Sequence, residues 1–225
     1  MPHTKNNKRK IIIFSILFAL FVLFCITNSD INIFSPFSNK LEKIQIGDRT
    51  FKVISELSDK EMAAKILNDV DKNIKLLQNH INDKYSEDKI LNNANYKIYK
   101  QIRDNFNKTY FSESLIENYP KKRKIDVSYN YDKGKTIALC LRDYDTKYFH
   151  QFNDIMFVAL HELAHSLNYS YDHDESFWGI FKLLLIASSE INIYNDTKYS
   201  ENNVNYCSMN ITYNPVHDKS LYSYY

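Results

Sequence analysis

Residues 152–167 read Phe152-Asn153-Asp154-Ile155-Met156-Phe157-Val158-Ala159-Leu160-His161-Glu162-Leu163-Ala164-His165-Ser166-Leu167. The apolar residues Phe152, Ile155, Met156, Ala159, Leu163 and Leu167 recur at spacings of three and four, which predicts an α-helix with one apolar face. Inside it stands His161-Glu162-Leu163-Ala164-His165, an H-E-x-x-H sequence. Histidines four apart project one above the other from a helix, so their rings can reach one ion. Glu162 lies beside them, placed to hold a water rather than the ion. A His pair on a solvated helix face is the rival reading. Against it, Phe157-Val158-Ala159-Leu160 runs straight into the motif, so the helix is expected to be largely buried. A buried His pair next to a Glu needs partners, and a metal supplies them.

A catalytic zinc takes three protein ligands and keeps one position for water. His173, eight residues after His165, is the expected third ligand, so one zinc per chain is expected through His161, His165 and His173. Glu190 is the alternative third ligand. Asp174 is expected to accept a hydrogen bond from a ligand ring, with Phe177 and Trp178 anchoring the loop by packing. The implied chemistry is a zinc-acidified water, deprotonated by Glu162 as general base, attacking a polarised carbonyl. The expected activity is that of a zinc metalloendopeptidase on a protein or peptide substrate. Burial pushes the Glu162 pKa up, but a dication about 4–5 Å away should win and keep it ionised at pH 7.

The 225 residues fit one domain plus appendages, and 44% hydrophobic with 25% charged residues is a globular composition. Residues 1–10 form a basic tail with Lys5, Lys8, Arg9 and Lys10. Residues 11–27 carry no charge, and read as a transmembrane signal-anchor near the minimum length for a bilayer. Basic residues before the span place the N-terminus in the cytoplasm and the C-terminal domain outside it. Secretion after cleavage near Thr27 and Ser29 is the alternative. Of 29 Lys+Arg, four lie in that tail, leaving 25 against 27 Asp+Glu. A body slightly negative in charge gives no reason to expect a nucleic-acid partner.

Residues 28–40 read as a linker, 41–190 as the catalytic domain and 191–225 as a polar, Tyr- and Asn-rich tail without a period. In the domain, Ile44-Gln45-Ile46 and Phe51-Lys52-Val53 alternate around Gly47-Asp48, predicting a β-hairpin. Ser58-x-x-Glu61 reads as a capping box opening a helix through Met62, Ile66, Val70, Ile74 and Leu77 to about His80. A second helix is expected over 90–106. Strands are expected over 125–129 and 136–141, then a closing helix from Phe177 to about Ser189. The order implies an α+β fold, a short sheet packed on helices. An exposed strand edge near the motif helix would let an extended substrate pair across it. Cys140 and Cys207 can pair in an oxidising compartment, or Cys140 can be a buried thiol.

Three further stretches carry a family resemblance. They are Leu115-Ile116-Glu117-Asn118-Tyr119-Pro120, Gly134-Lys135-Thr136-Ile137-Ala138-Leu139-Cys140-Leu141-Arg142, and His173-Asp174 with Phe177 after the H-E-L-A-H sequence. Over residues 50–188 the chain resembles the WLM metalloproteases, relatives of the SprT-like proteases among the small zincins. The resemblance implies a minigluzincin-like α+β fold, zinc on His161, His165 and His173, Glu162 as catalytic base, and a buried thiol at Cys140. Members of the family include proteases that degrade proteins crosslinked to DNA, which is a further implied reading. A non-proteolytic zinc-binding interaction module is the competing one.

Overall fold

The computed structural model describes residues 40–108, 115–119 and 127–225. The chain is an α+β fold. A five-stranded sheet is built from β1 (Leu41–Ile46), β2 (Arg49–Ile54), β3 (Leu115–Asn118), β4 (Tyr129–Tyr131) and β5 (Thr136–Cys140), in the order β1-β2-β3-β5-β4. The pairs β1–β2 and β4–β5 are antiparallel, while β3 lies parallel to both β2 and β5. Among the described residues β4 is thereby an edge strand. The helices are α1 (Lys60–Lys84), the single turn α2 (Glu87–Ile90), α3 (Tyr96–Lys108), α4 (Phe152–Leu167) and α5 (Glu175–Glu190).

The predicted hairpin forms as read: Ile46 pairs with Arg49 across Gly47-Asp48, and Gly47 supplies the positive φ of 62° that the tight turn requires. The first long helix also forms, but its buried face is rotated from the one expected. Ala63, Leu67, Val70, Ile74, Leu77 and Ile81 are buried, whereas Met62 is exposed. Its capping box does not form. Asp59 is the residue before the helix, at φ 54°, with no side-chain cap. The carbonyls of Ser58 and Asp59 instead accept from the Arg142 guanidinium, and Ser58 Oγ donates to Asp59. The helix expected over 90–106 is split, because the Asn-rich stretch forms turns between α2 and α3.

β3 is the element that apolar alternation could not reveal. It is four residues long, and an inward-facing acid, Glu117, interrupts its apolar pattern. Glu117 Oε2 accepts from the Ile54 amide at 2.8 Å and Oε1 from Arg142 Nε at 2.8 Å. A fully buried ion pair thus ties β2, β3 and the segment after β5 together. The strand expected over 125–129 begins at Tyr129, since Val127 and Ser128 are bends and residues 125 and 126 lie outside the described set.

The polar C-terminal stretch is folded into the domain. It carries the hairpin β6 (Val204–Tyr206) and β7 (Met209–Ile211) and a 3-10 turn at Pro215–His217. Tyr194, Tyr199, Tyr206 and Cys207 are buried in the main core. Tyrosines without a helical or strand period still anchor it, because the buried hydroxyls of Tyr199 and Tyr206 each find a fixed acceptor. Tyr199 donates to Asp154 at 2.9 Å, and Tyr206 to the Cys140 carbonyl. Cys140 and Cys207 form a disulfide, which corrects the buried free thiol that the family resemblance implies. Cys207 and Ser208 both take positive φ at the tip of the β6–β7 hairpin, turning Cys207 inward to its partner.

One further expectation is corrected. Among the described residues no helix is long and apolar enough to cross a membrane, so the single-pass membrane placement and the transmembrane element of the fold are not retained. The segment 11–27 on which they rested lies outside the described residues.

Candidate metal centre

The centre is assembled from two helices and the turn between them. α4 buries Ile155, Met156, Ala159, Leu160, Leu163 and Leu167 in the core, which leaves His161 and His165 on its more open side. The chain leaves α4 at Asn168, makes an open turn, and enters α5 through Asp174. This brings back His173, an exposed residue, over the other two rings. Ring centroids lie 5.0 Å apart for His161–His165, 5.0 Å for His161–His173 and 4.7 Å for His165–His173. One ligating nitrogen from each ring falls within 4.8 Å of the others, and His173 Nε2 is 3.0 Å from His161 Nε2. Phe177, fully buried, is the floor of the cluster, with its ring 4.4–5.0 Å from all three histidines. Trp178 stacks at a tilt against His173, 5.7 Å away.

Electrostatics suit a cation. Burial, and then the neighbouring rings, push His161 down to about 3. Burial first, then His173 and Lys133, bring His165 down to about 4. Both rings are therefore neutral at pH 7 and keep a lone pair to donate. Three imidazoles converging on one point, with two of their nitrogens at 3.0 Å, form a donor set that fits a borderline metal such as zinc. Glu162 is buried, and burial alone pushes its carboxyl up to about 8.

The site opens as a cleft of about 290 Å³ whose walls include Ser128, Tyr129, Asn130, Lys133, Glu162 and Tyr171 besides the histidines. Thus β4, the edge strand, flanks the cleft. Asn130 on β4 clamps it to α4: its Nδ2 donates to Glu162 O and to Ser166 Oγ, both at 2.6 Å, and its Oδ1 accepts from Gly134 N at 2.8 Å. Neither Asn130 nor Lys133 carried any signal in the sequence, since their partners are mostly main-chain atoms of a distant helix and the turn after it.

One expected role is corrected and the alternative third ligand is set aside. Asp174 does not orient a histidine; it caps α5, accepting from Phe177 N at 2.8 Å and from Asn168 Nδ2 at 3.1 Å. Glu190 is not brought to the cluster. It ends α5 and pairs with Lys84 and His80 of α1 at 3.0 Å.

Fold and site together define an α+β domain with a three-histidine cleft on an H-E-x-x-H helix. Residues 70–219 match the WLM domain family model, and the chain belongs to that family. It is 35% identical over 157 residues to an uncharacterized protein of Acanthamoeba polyphaga mimivirus, covering 70% of this chain and 75% of that one. An uncharacterized protein of Invertebrate iridescent virus 6 is 35% identical over 95 residues, covering 41% of this chain and 49% of its own length. Among solved structures, Wss1 from Saccharomyces cerevisiae aligns with a TM-score of 0.40 at 21% identity, over 62% of this chain and 87% of that one.

Proposed function

We propose that this protein is a zinc-dependent endopeptidase, with one zinc per chain on His161, His165 and His173 and Glu162 as general base. The observation that carries the reading is the convergence of three imidazoles beside a buried carboxyl, in one cleft, next to a sheet edge. A structural zinc site would be closed by a fourth protein ligand and would need no carboxyl beside it. Membership of the WLM family supports the same reading.

When bound, the ion supplies Lewis-acid polarisation of a carbonyl and of an attacking water. The chain's own residues do the rest. An extended substrate lies alongside β4, the strand that flanks the cleft, so that its backbone runs along the cleft. Glu162 takes the proton of the attacking water and delivers it to the leaving amine. Asn130 holds Glu162's stretch of α4 at a fixed distance from β4, so substrate strand and base stay in register.

The test is turnover of a generic protein substrate by the parent, Glu162→Gln and Glu162→Asp, with zinc content measured on each. Both variants should hold zinc and lose most turnover, Gln because it cannot accept the proton and Asp because it is one methylene short. Parent-level cleavage by both would overturn the peptidase reading in favour of an interaction module. A narrower reading, proteins crosslinked to DNA as substrates, draws on the family resemblance; stimulation of cleavage by added DNA would support it.

A further inference from the structure

Seven residues, 166–172, separate His165 from His173, and none is glycine. Something other than backbone freedom must fix the turn that returns His173 to the cleft. Lys133 meets that turn. It lies in the 3-10 turn Asp132–Gly134 after β4, at φ 53°. A lysine at positive φ is strained, and such strain persists only where the surroundings enforce it. Here they do. Its ammonium donates to His165 O at 3.1 Å, Asn168 O at 2.8 Å and Ser170 O at 2.6 Å, and sits 4.1 Å from the centre of the Tyr171 ring.

The first two of those carbonyls lie in the last turn and at the end of α4, where the helix leaves its acceptors unpaired and its dipole favours a cation. The third belongs to the turn itself. An ammonium has three N–H donors, and all three are spent on main-chain oxygens. None remains for a substrate carbonyl, although Lys133 lines the cleft. A positive charge beside a cluster built for a cation is electrostatically unfavourable for that cation. Its presence calls for an offsetting role.

We propose that Lys133 is a positioning residue for His173: by gathering the carbonyls of residues 165, 168 and 170 onto one ammonium, it holds the α4–α5 turn in the shape that presents the third imidazole. The inference rests on the zinc-ligand reading above. It differs from a catalytic role, because Lys133 acts through the turn and touches no reacting atom.

The experiment uses the full chain and Lys133→Met, which keeps an apolar stem and removes the ammonium. Zinc affinity is read by chelator competition, and the geometry of the site by the visible spectrum after cobalt(II) substitution. Loss of an outer partner of a ligand weakens metal binding by roughly 10–100-fold, and that loss is expected here. The cobalt spectrum of Lys133→Met should shift towards that of His173→Ala. Parent affinity with a parent spectrum would overturn the proposal. Tighter zinc binding would also overturn it, since charge repulsion would then be the residue's main effect. Should Lys133→Met fail to fold, Lys133→Arg keeps the charge but cannot place three donors on the same three oxygens, and must itself weaken zinc for the proposal to stand. If the parent takes up no zinc, or His173→Ala binds it like the parent, the ligand assignment fails instead.

Discussion

Zinc binding should release a proton from Glu162. Without a metal, burial holds this carboxyl up at about 8, so at about pH 6.5 it is mostly protonated. The nearest histidines cannot contribute, because His161 and His165 titrate at about 3 and about 4 and are already neutral there. A dication beside the carboxyl reverses the balance between burial and charge. The parent should therefore release roughly one proton more per zinc than Glu162→Gln, whose amide has none to lose. Isothermal titration in buffers of different ionisation enthalpy measures that difference directly. Every other titrating group is common to both proteins and cancels. Equal proton release by parent and Glu162→Gln would show that the carboxyl keeps one protonation state throughout, either ionised before the metal arrives or still protonated after it. The reasoning that burial holds the proton and the ion expels it would then be refuted.

Other expectations follow from the same geometry. His173→Ala should leave a two-histidine site, and metal analysis after dialysis should find most of the zinc gone. In the metal-free chain the folded pKa values of His161 and His165 lie below the ordinary 6.5. The unfolded state takes up two protons there, against the one that folded Glu162 already holds, so urea midpoints should fall as pH drops from about 6 through about 4. Glu117→Ala strands the buried Arg142 guanidinium and removes the acceptor of the Ile54 amide. It should cost about 3–5 kcal/mol in chemical unfolding. Cys207→Ser opens a loop closed over a sequence separation of 67 residues and should cost roughly 4 kcal/mol by the loop-entropy relation. A reducing agent should lower the parent's unfolding midpoint and leave that of Cys207→Ser unchanged.

What the amino-acid sequence determined by itself is local and periodic. The motif helix over 152–167 and the His161–Glu162–His165 spacing follow from a 3.6-residue repeat that needs no partner to be read. The β1–β2 hairpin follows from alternation around a glycine turn. His173 stood out because its residue type completes a ligand set a short way along the chain. Tertiary structure decided whatever depends on contacts between distant segments. β3 is a strand because it has two parallel neighbours and an arginine to neutralise Glu117, not because of its own four residues. Asp174, which its place beside His173 marked as a ring partner, caps a helix because the turn aims it at Phe177 N. Tyr199, Tyr206 and Cys207 lie in an aperiodic, polar stretch, yet they are core residues, because the sheet and α4 supply acceptors and a sulfur that no local pattern encodes. Lys133 and Asn130 shape the cleft by bonding to the main chain of α4 and the turn that follows it. Main-chain atoms are the same in every sequence, so a side chain that recognises them leaves no trace in the residues it holds.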